Sequence, residues 1–393
     1  MKTTFVSADI LLPNVKSMEK WAVIACDQFA SEPAYWQDAR RFIGDAPSTL
    51  NLIWPEAELA DDAAQRIAAI NETMHRYLSE NIFQTYTNSY IYVERTLLDG
   101  QIRRGVVGAI DLECYDYSPD SESSVRATEK TVVERIPPRV NIRKDAPVEL
   151  PHVLLLCDDP KQLILNSIDT DKLPLIYDFD LMAGGGHIRG WLLQGDAAED
   201  FSNAVAMYEA QAGTVKYAVG DGNHSLAAAK VCYEMSKLPE ARYALVELEN
   251  IHDASQQFEP IHRVIKDTDP AALLEALQNT ACCENGYPLR WFSGSDSGTV
   301  CLRLVPGQLP IGALQNFLDT YLASHSGEPD YIHGDESLKN LSAKENAIGF
   351  LLPPMEKSQL FSGIIADGVL PRKTFSMGHA QEKRYYLEAS KIR

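Results

Sequence analysis

Hydrophobic and polar positions along this chain follow two rhythms. Over residues 61–81, "DDAAQRIAAINETMHRYLSEN", apolar positions recur at helical spacing behind an acidic start, which predicts an amphipathic helix. "NSYIYVERTLLDGQIRRGVVGAIDLECYDY" gives two strand-like runs around Asp99-Gly100, a strong hairpin signal. "PHVLLLCDDP" (151–160) reads as a buried strand ending in acids, and "LPLIYDFDLMAGGGHIRGWLLQG" as a hairpin turning at Gly184–Gly186. A helix over 198–212, a strand over 215–219, a helix over 224–237 and a strand over 241–250 follow.

Residues 1–60 show neither rhythm. Pro13, Pro33, Pro47 and Pro55 punctuate them, and they read as irregular. After Asp267 the pattern changes, with a helix over 270–280, strands over 289–304, helices near 311–323 and 335–345, and strands over 347–352 and near the C-terminus. "KDTDPAA" marks the boundary between a main α+β domain over 1–267, which carries the Asp-Gly-Asn-His motif, and a smaller α+β region over 268–393. Hairpins mixed with strand–helix units argue for an α+β fold with mixed sheets and additional α/β elements, not a doubly wound sheet.

Composition narrows the function. With 393 residues and a hydrophobic fraction of 45%, a substantial core can form. No run of about 18 apolar residues occurs, so no transmembrane helix and no membrane partner are expected. "MKTTFVSADILLP" lacks the pattern of a secretory signal, which places the protein in the cytoplasm. A net charge of −19 repels phosphate backbones and argues against nucleic acid as a partner. The seven cysteines form no CxxC pair and read as buried free thiols. Homo-oligomerisation is left open.

The densest chemistry lies in "KYAVGDGNHSLAAAK" (216–230). Tyr217–Val219 read as the end of a strand and Leu226–Ala229 as the start of a helix. Gly220, Asp221, Gly222, Asn223, His224 and Ser225 lie between them. The first amides of a helix lack intrahelical acceptors and carry partial positive charge, so phosphate binds there readily. Glycine lets the backbone approach a ligand and reach positive φ. Asp221 can orient a substrate, hold Mg²⁺ or cap the helix. His224 can donate to phosphate or move a proton. The blander reading is a capped helix after a turn.

Four other segments carry candidates. "VRATEKTVVERIPPRVNIRKD" (125–145) is the one dense basic stretch; Arg126, Lys130, Arg135 and Arg139 there suit phosphate or nucleotide, with Glu129 among them. Its alternative is a solvated, mobile charged loop, against which Pro137-Pro138, stiffening the exit, counts. "FEPIHRVI" offers His262 and Arg263 after a strand, and "LPRKTF" offers Arg372 and Lys373. "KWAVIACDQFASEPAYW" places Asp27 and Glu32 past an apolar run, as candidate general bases or simple turn residues.

Together and in this order, these segments resemble the bacterial and archaeal family called domain of unknown function 1015, whose Asp-Gly-His-His-Arg element "DGNHS" matches in part. That family is in turn similar to the ParB/sulfiredoxin superfamily, whose free-serine kinases carry an Asp-Gly-x-His-Arg element. The resemblance implies a ParB/sulfiredoxin-like core around 215–237, phosphate at the helix start, ATP or ADP with Mg²⁺, and an N-terminal carboxylate as base. Asp221, Gly222 and His224 match the motif; Asn223 and Ser225 stand where the family has His and Arg. Arg126, Arg135 or Arg139 would then supply the missing charge. The expected function is phosphotransfer on a small hydroxylated metabolite, with serine/phosphoserine leading. A non-catalytic nucleotide- or metabolite-binding regulator is the alternative.

Overall fold

The computed structural model describes residues 3–24, 29, 32–55, 58, 63–131, 136–280, 286–371, 373–378 and 382–393. Its contacts divide the chain into two compact units. Unit 1 comprises Met1–Ala127, Thr131–Gln256 and His379–Arg393; unit 2 comprises Thr128–Lys130 and Gln257–Gly378.

Unit 1 is built on one mixed sheet. Its strands are β1 (Phe5–Val6), β2 (Ala8–Pro13), β3 (Phe83–Thr96), β4 (Ile102–Asp111), β5 (Tyr115–Asp116), β6 (Val125–Ala127), β7 (Val148–Glu149), β8 (Leu154–Cys157), β9 (Leu175–Asp180), β10 (His187–Leu193), β11 (Tyr217–Asp221) and β12 (Tyr243–Asn250). A C-terminal strand, Ala389–Lys391, completes it. The order is β5-β6-β11-β8-β12-β4-β3-β2, then the C-terminal strand, then β7; β1 joins β4, and β10 bridges β3 and β9. The helices are α1 (Met18–Trp21), α2 (Pro33–Ile43), α3 (Ala63–Ser79), α4 (Ile136–Arg143), α5 (Asp196–Gln211) and α6 (Asn223–Ser236).

The sheet is apolar on both faces because alternate strand residues point to opposite sides. Ile91 and Val93 of β3 join one core with Trp36, Ile43, Ile70 and Met74 of α2 and α3. Tyr90 and Tyr92, their neighbours on β3, join another with Phe201 and Val205 of α5 and Leu226 of α6. Helices therefore cover both faces, α2 and α3 on one and α5 and α6 on the other. α4 packs on α6 through Ile136 and Val140 against Ala227, Ala228 and Cys232.

Both expected hairpins form. β3 and β4 pair from Ile91↔Val107 to Thr96↔Ile102, and Gly100 turns at φ +82°. β9 and β10 pair from His187↔Asp180, with Gly186 at φ +82°. A Cβ at Gly186 would sit 2.0 Å from the Thr96 carbonyl oxygen, so only glycine fits.

Three expectations need correction. Residues 1–60 are not irregular: β1, β2, α1 and α2 lie there. Pro33 reads as punctuation, yet it sits in the first turn of α2, where its missing N–H costs nothing. Pro137 and Pro138 likewise stand in the first turn of α4 and do not stiffen a loop. β11 extends two residues beyond the expected Val219, because Asp221 resumes pairing with Leu154 after an irregularity at Gly220.

Unit 2 contains β13 (Phe258–Lys266), β14 (Tyr287–Ser293), β15 (Asp296–Leu302), β16 (Glu328–His333), β17 (Ile348–Leu351) and β18 (Phe375–Met377), with α7 (Pro270–Asn279), α8 (Pro310–Leu322), α9 (Asp335–Ser342) and α10 (Gln359–Asp367). The order β15-β14-β17-β13-β16 is antiparallel throughout, and β18 adds to the start of β13. The chain is thus α+β with mixed sheets, as its pattern implied.

Candidate functional site

The turn after β11 is held from three sides. β11 runs parallel to β6 and antiparallel to β8, and Tyr217, Ala218 and Val219 are fully buried. Gly222 then takes φ +83°, the left-handed region, and caps α6. A Cβ there would lie 3.0 Å from Val153 Cγ2 and 3.1 Å from Val153 Cα, so the conformation favours glycine and a side chain would press on Val153. The Gly222 carbonyl accepts the Ser225 and Leu226 N–H groups, each at 3.0 Å. Asn223, His224 and Ser225 form the first turn of α6 and are half-buried.

Asp221 is the charged centre of this turn. Its Oδ1 accepts the Gly222 N–H at 2.9 Å, and its Oδ2 lies 3.5 Å from Lys383 Nζ. The carboxylate side chain is 31% exposed and the lysine 13%. Burial pushes the Asp221 pKa up, but Lys383, His152 and the Gly222 N–H together outweigh it and hold the carboxyl below its ordinary value. His152 stands at the entry to β8, its ring edge-to-face with Tyr386 at 5.1 Å.

Sequence reasoning missed Lys383 and His152. Nothing in local spacing links the C-terminal "EKRYYLEA" to the turn at 221. A set of buried guanidinium groups makes the link. Arg95 Nη1 donates to the carbonyls of Glu382 (3.1 Å) and Lys383 (2.7 Å), and Arg103 Nη1 to that of Glu382 (2.6 Å). Arg384 donates to Glu247 (2.8 Å), Glu388 (2.7 Å) and the Pro151 carbonyl (2.5 Å). Tyr177 holds the other oxygen of Glu388 at 2.7 Å. Burial, with Arg103 nearby, pulls Arg95 down to about 9. A cavity of about 10 Å³, room for one water, is lined by Arg95, Arg103, Arg384, Glu247 and Glu388.

The other candidates separate. Arg126 is buried on β6 in register with Ala218, and its Nε donates to the Ser123 carbonyl at 3.0 Å. Arg139 is half-buried on α4, beside α6. Glu32 is the exposed N-cap of α2, in the layer opposite α6. Asp27, Arg135 and Arg372 lie outside the described residues.

Glu129, Lys130, His262, Arg263 and Lys373 belong to unit 2. There Glu129 Oε1 accepts the Lys373 N–H at 3.1 Å, and the Lys373 carbonyl accepts from Arg263 Nη1 at 3.0 Å. Lys130 is exposed. His262 is buried; its Nδ1 accepts the Leu352 N–H at 3.2 Å and its Nε2 meets Asp335 at 3.2 Å. Burial pulls its pKa down, so both nitrogens serve as a neutral ring between two fixed partners.

Among the described residues, no group of three or more His, Cys, Asp or Glu side chains is placed to hold a metal ion. No described helix is long and apolar enough to cross a membrane. The described cysteines are free thiols, with Cys157 and Cys232 buried and Cys114 and Cys301 half-buried.

Comparison with known proteins places these features in context. No curated protein matches the chain. A conserved hypothetical protein from Pyrococcus furiosus is similar in structure at 13% identity and a TM-score of 0.38, covering 73% of this chain and 95% of its own. Two structures of one point mutant of a free serine kinase, each in complex with a nucleotide, are similar to the same extent. The complex with ADP has 12% identity and a TM-score of 0.40, and that with AMP 14% and 0.41; both cover 73% of this chain and 92% of their own. None of these likenesses is close enough to carry a role onto a residue here. In sequence, the model of the family described as "Protein of unknown function (DUF1015)" matches residues 11–391, nearly the whole chain. The chain belongs to the DUF1015 family.

Proposed function

We propose that this protein transfers a phosphoryl group to or from a small hydroxylated metabolite, with serine/phosphoserine and ATP or ADP as the leading pair. One observation carries the reading: a carboxylate, Asp221, is kept ionised at the start of α6 by Lys383, His152 and the Gly222 N–H. Phosphoryl transfer needs a positioned anion, stabilisation of its charge and an acceptor for the hydroxyl proton. The start of α6 suits the anion. Asp221 Oδ2 takes the proton as the hydroxyl oxygen bonds to phosphorus and the bond to the leaving phosphate breaks. His224, second residue of α6, donates to a phosphoryl oxygen. Arg126 and Arg139 add positive charge on the neighbouring β6 and α4.

The fit for Mg²⁺ is different. Magnesium binds through one or two carboxylates plus substrate phosphates. Asp221 already has a cation at 3.5 Å, and no described cluster adds further ligands. Asp221 together with the substrate's phosphates is the set that would hold a magnesium ion at this turn.

Phosphorus NMR of the protein with ATP or ADP and a panel of amino acids tests the reading. New phosphoester and nucleotide product resonances are expected. A second reading has its own support: the resident Lys383–Asp221 pair makes a cation site that an anion sensor needs without any turnover. Shifted nucleotide resonances with no product, across the panel, favour that regulator.

A further inference from the structure

Unit 2 contains a pocket of its own. It has a volume of about 320 Å³, within the range of small-molecule sites, and its described lining comes from α7, the end of β15 and α8. Leu277 of α7, Leu302 of β15, and Ala313 and Phe317 of α8 form the apolar part. Leu277 and Leu302 are buried, and Ala313 and Phe317 are half-buried. At 313, α8 contributes only a methyl group to the wall, which leaves the space open. Every described lining residue belongs to unit 2, so occupancy of this pocket and phosphoryl transfer at β11 and α6 can be tested apart.

The polar part of the lining is weighted toward hydrogen-bond donors. Arg303, one residue past β15, is exposed, and among the described residues its guanidinium has no hydrogen bond or ion pair. It brings five N–H donors. The Asn316 carboxamide is likewise unpaired among the described residues. Gln308 accepts the Val305 N–H through its oxygen at 3.3 Å, which leaves its amide hydrogens. The hydroxyls of Thr280 and Thr320 donate to the carbonyls of Leu277 and Asn316, each at 2.8 Å. No described lining residue is Asp or Glu, in a chain of net charge −19.

One unpaired guanidinium beside an apolar lining restricts the occupant in two ways. Its planar fork matches a carboxylate, which accepts two parallel N–H bonds. A polyphosphate carries more charge than one guanidinium balances, and desolvating its oxygens against Leu277, Leu302 and Phe317 is costly. Apolar surface is what those side chains favour. We propose that this pocket binds a small organic monocarboxylate with an apolar body, its carboxylate on Arg303 and its body against Leu277, Leu302, Ala313 and Phe317.

The test is calorimetric titration of the full chain with phenylpropionate, with phenylpropanol, which keeps the body and lacks the charge, and with acetate, which keeps the charge and lacks the body. Wild type, Arg303→Met and Ala313→Trp are compared. Wild type is expected to bind phenylpropionate about tenfold or more tightly than either control, the size of one hydrogen bond to a charged group or of one buried apolar side chain. Arg303→Met should weaken phenylpropionate by about tenfold or more and leave phenylpropanol unchanged, so that acid and alcohol bind alike. A merely structural arginine does not predict that equality. Ala313→Trp fills the space and should lose both ligands. The proposal is overturned if wild type does not bind phenylpropionate at millimolar concentration, if acid and alcohol or acid and acetate bind wild type equally, or if either variant keeps wild-type affinity for the acid. Should Ala313→Trp fail to fold, Arg303→Met, a change at an exposed residue, decides alone.

Discussion

Arg384 and Glu247 form an interior ion pair, Nε to Oε2 at 2.8 Å, with side chains only 3% and 7% exposed. Burial opposes the charge on Arg384, yet Glu388 and Glu247 hold its pKa above the ordinary value. Removing one partner leaves the others charged and dry. Arg384→Met should therefore destabilise the protein by about 3–5 kcal/mol in denaturant unfolding followed by circular dichroism. Arg41, whose pair with Asp38 is 76% and 70% exposed, provides the contrast. Arg41→Ala should change stability by about 0.5 kcal/mol or less. Equal effects at the two sites would remove the network's claim to hold residues 382–384.

Gly222 separates conformation from packing. It adopts φ +83° and has Val153 at 3.0 Å from where a Cβ would stand. Gly100 adopts φ +82° with nothing within 4 Å of that position. Gly100→Ala should cost about 1–2 kcal/mol, the left-handed penalty alone. Gly222→Ala should cost more, because Val153 must also move. The same denaturant curves decide it. A smaller loss at 222 than at 100 would show that β8 yields freely and that the turn tolerates a side chain.

How much of this was legible in the sequence depends on the range of the interaction. The Asp99-Gly100 and Gly184–Gly186 hairpins were readable because turn residues and flanking alternation are local. The start of α6 was readable within two residues for the same reason. α2 was hidden by Pro33, which signals a break and also favours a first helical turn. Lys383 was hidden by distance along the chain: only folding brings the C-terminal segment beside His152 and Asp221. Glu247 and Glu249 of β12 alternate with Val246 and Leu248, and nothing local reveals that arginines from β4 and residue 384 meet them inside. The basic stretch at 125–145 was seen as one feature. The structure divides it between β6, a piece of unit 2 and α4.

The Asp221 carboxyl gives a signed pH prediction. Its folded-state pKa lies below the unfolded value of about 3.9, so the ionised form contributes stability above that pH. That contribution disappears as pH falls through the folded value, a window confined to strongly acidic solution. In Lys383→Met, burial, already the largest single influence, is opposed only by His152 and the Gly222 N–H, and the folded pKa should rise above the unfolded one. Stability would then decline as pH increases from about 4 through the new folded value, the reverse slope. Carbon-13 NMR titration of the Asp221 carboxyl in both proteins reads the shift directly. An unchanged pKa in the variant would show that Lys383 is not what keeps Asp221 ionised.

His224 and Asp221 should fail in different ways if the turn performs phosphoryl transfer. His224 is the second residue of α6 and is half-buried. Loss of one donor to a developing oxyanion costs about 10²–10³ in rate. His224→Ala should therefore lower kcat by that factor and change nucleotide affinity much less, because the backbone of the turn remains. Asp221→Asn keeps the acceptor for the Gly222 N–H and removes the proton acceptor. It should abolish turnover while nucleotide still binds, with circular dichroism unchanged. Steady-state kinetics on the substrate identified by phosphorus NMR, together with nucleotide titrations, separate the two. Collapse of the fold in both variants would make these residues structural caps. Wild-type kinetics in both would move the chemistry away from β11 and α6 altogether.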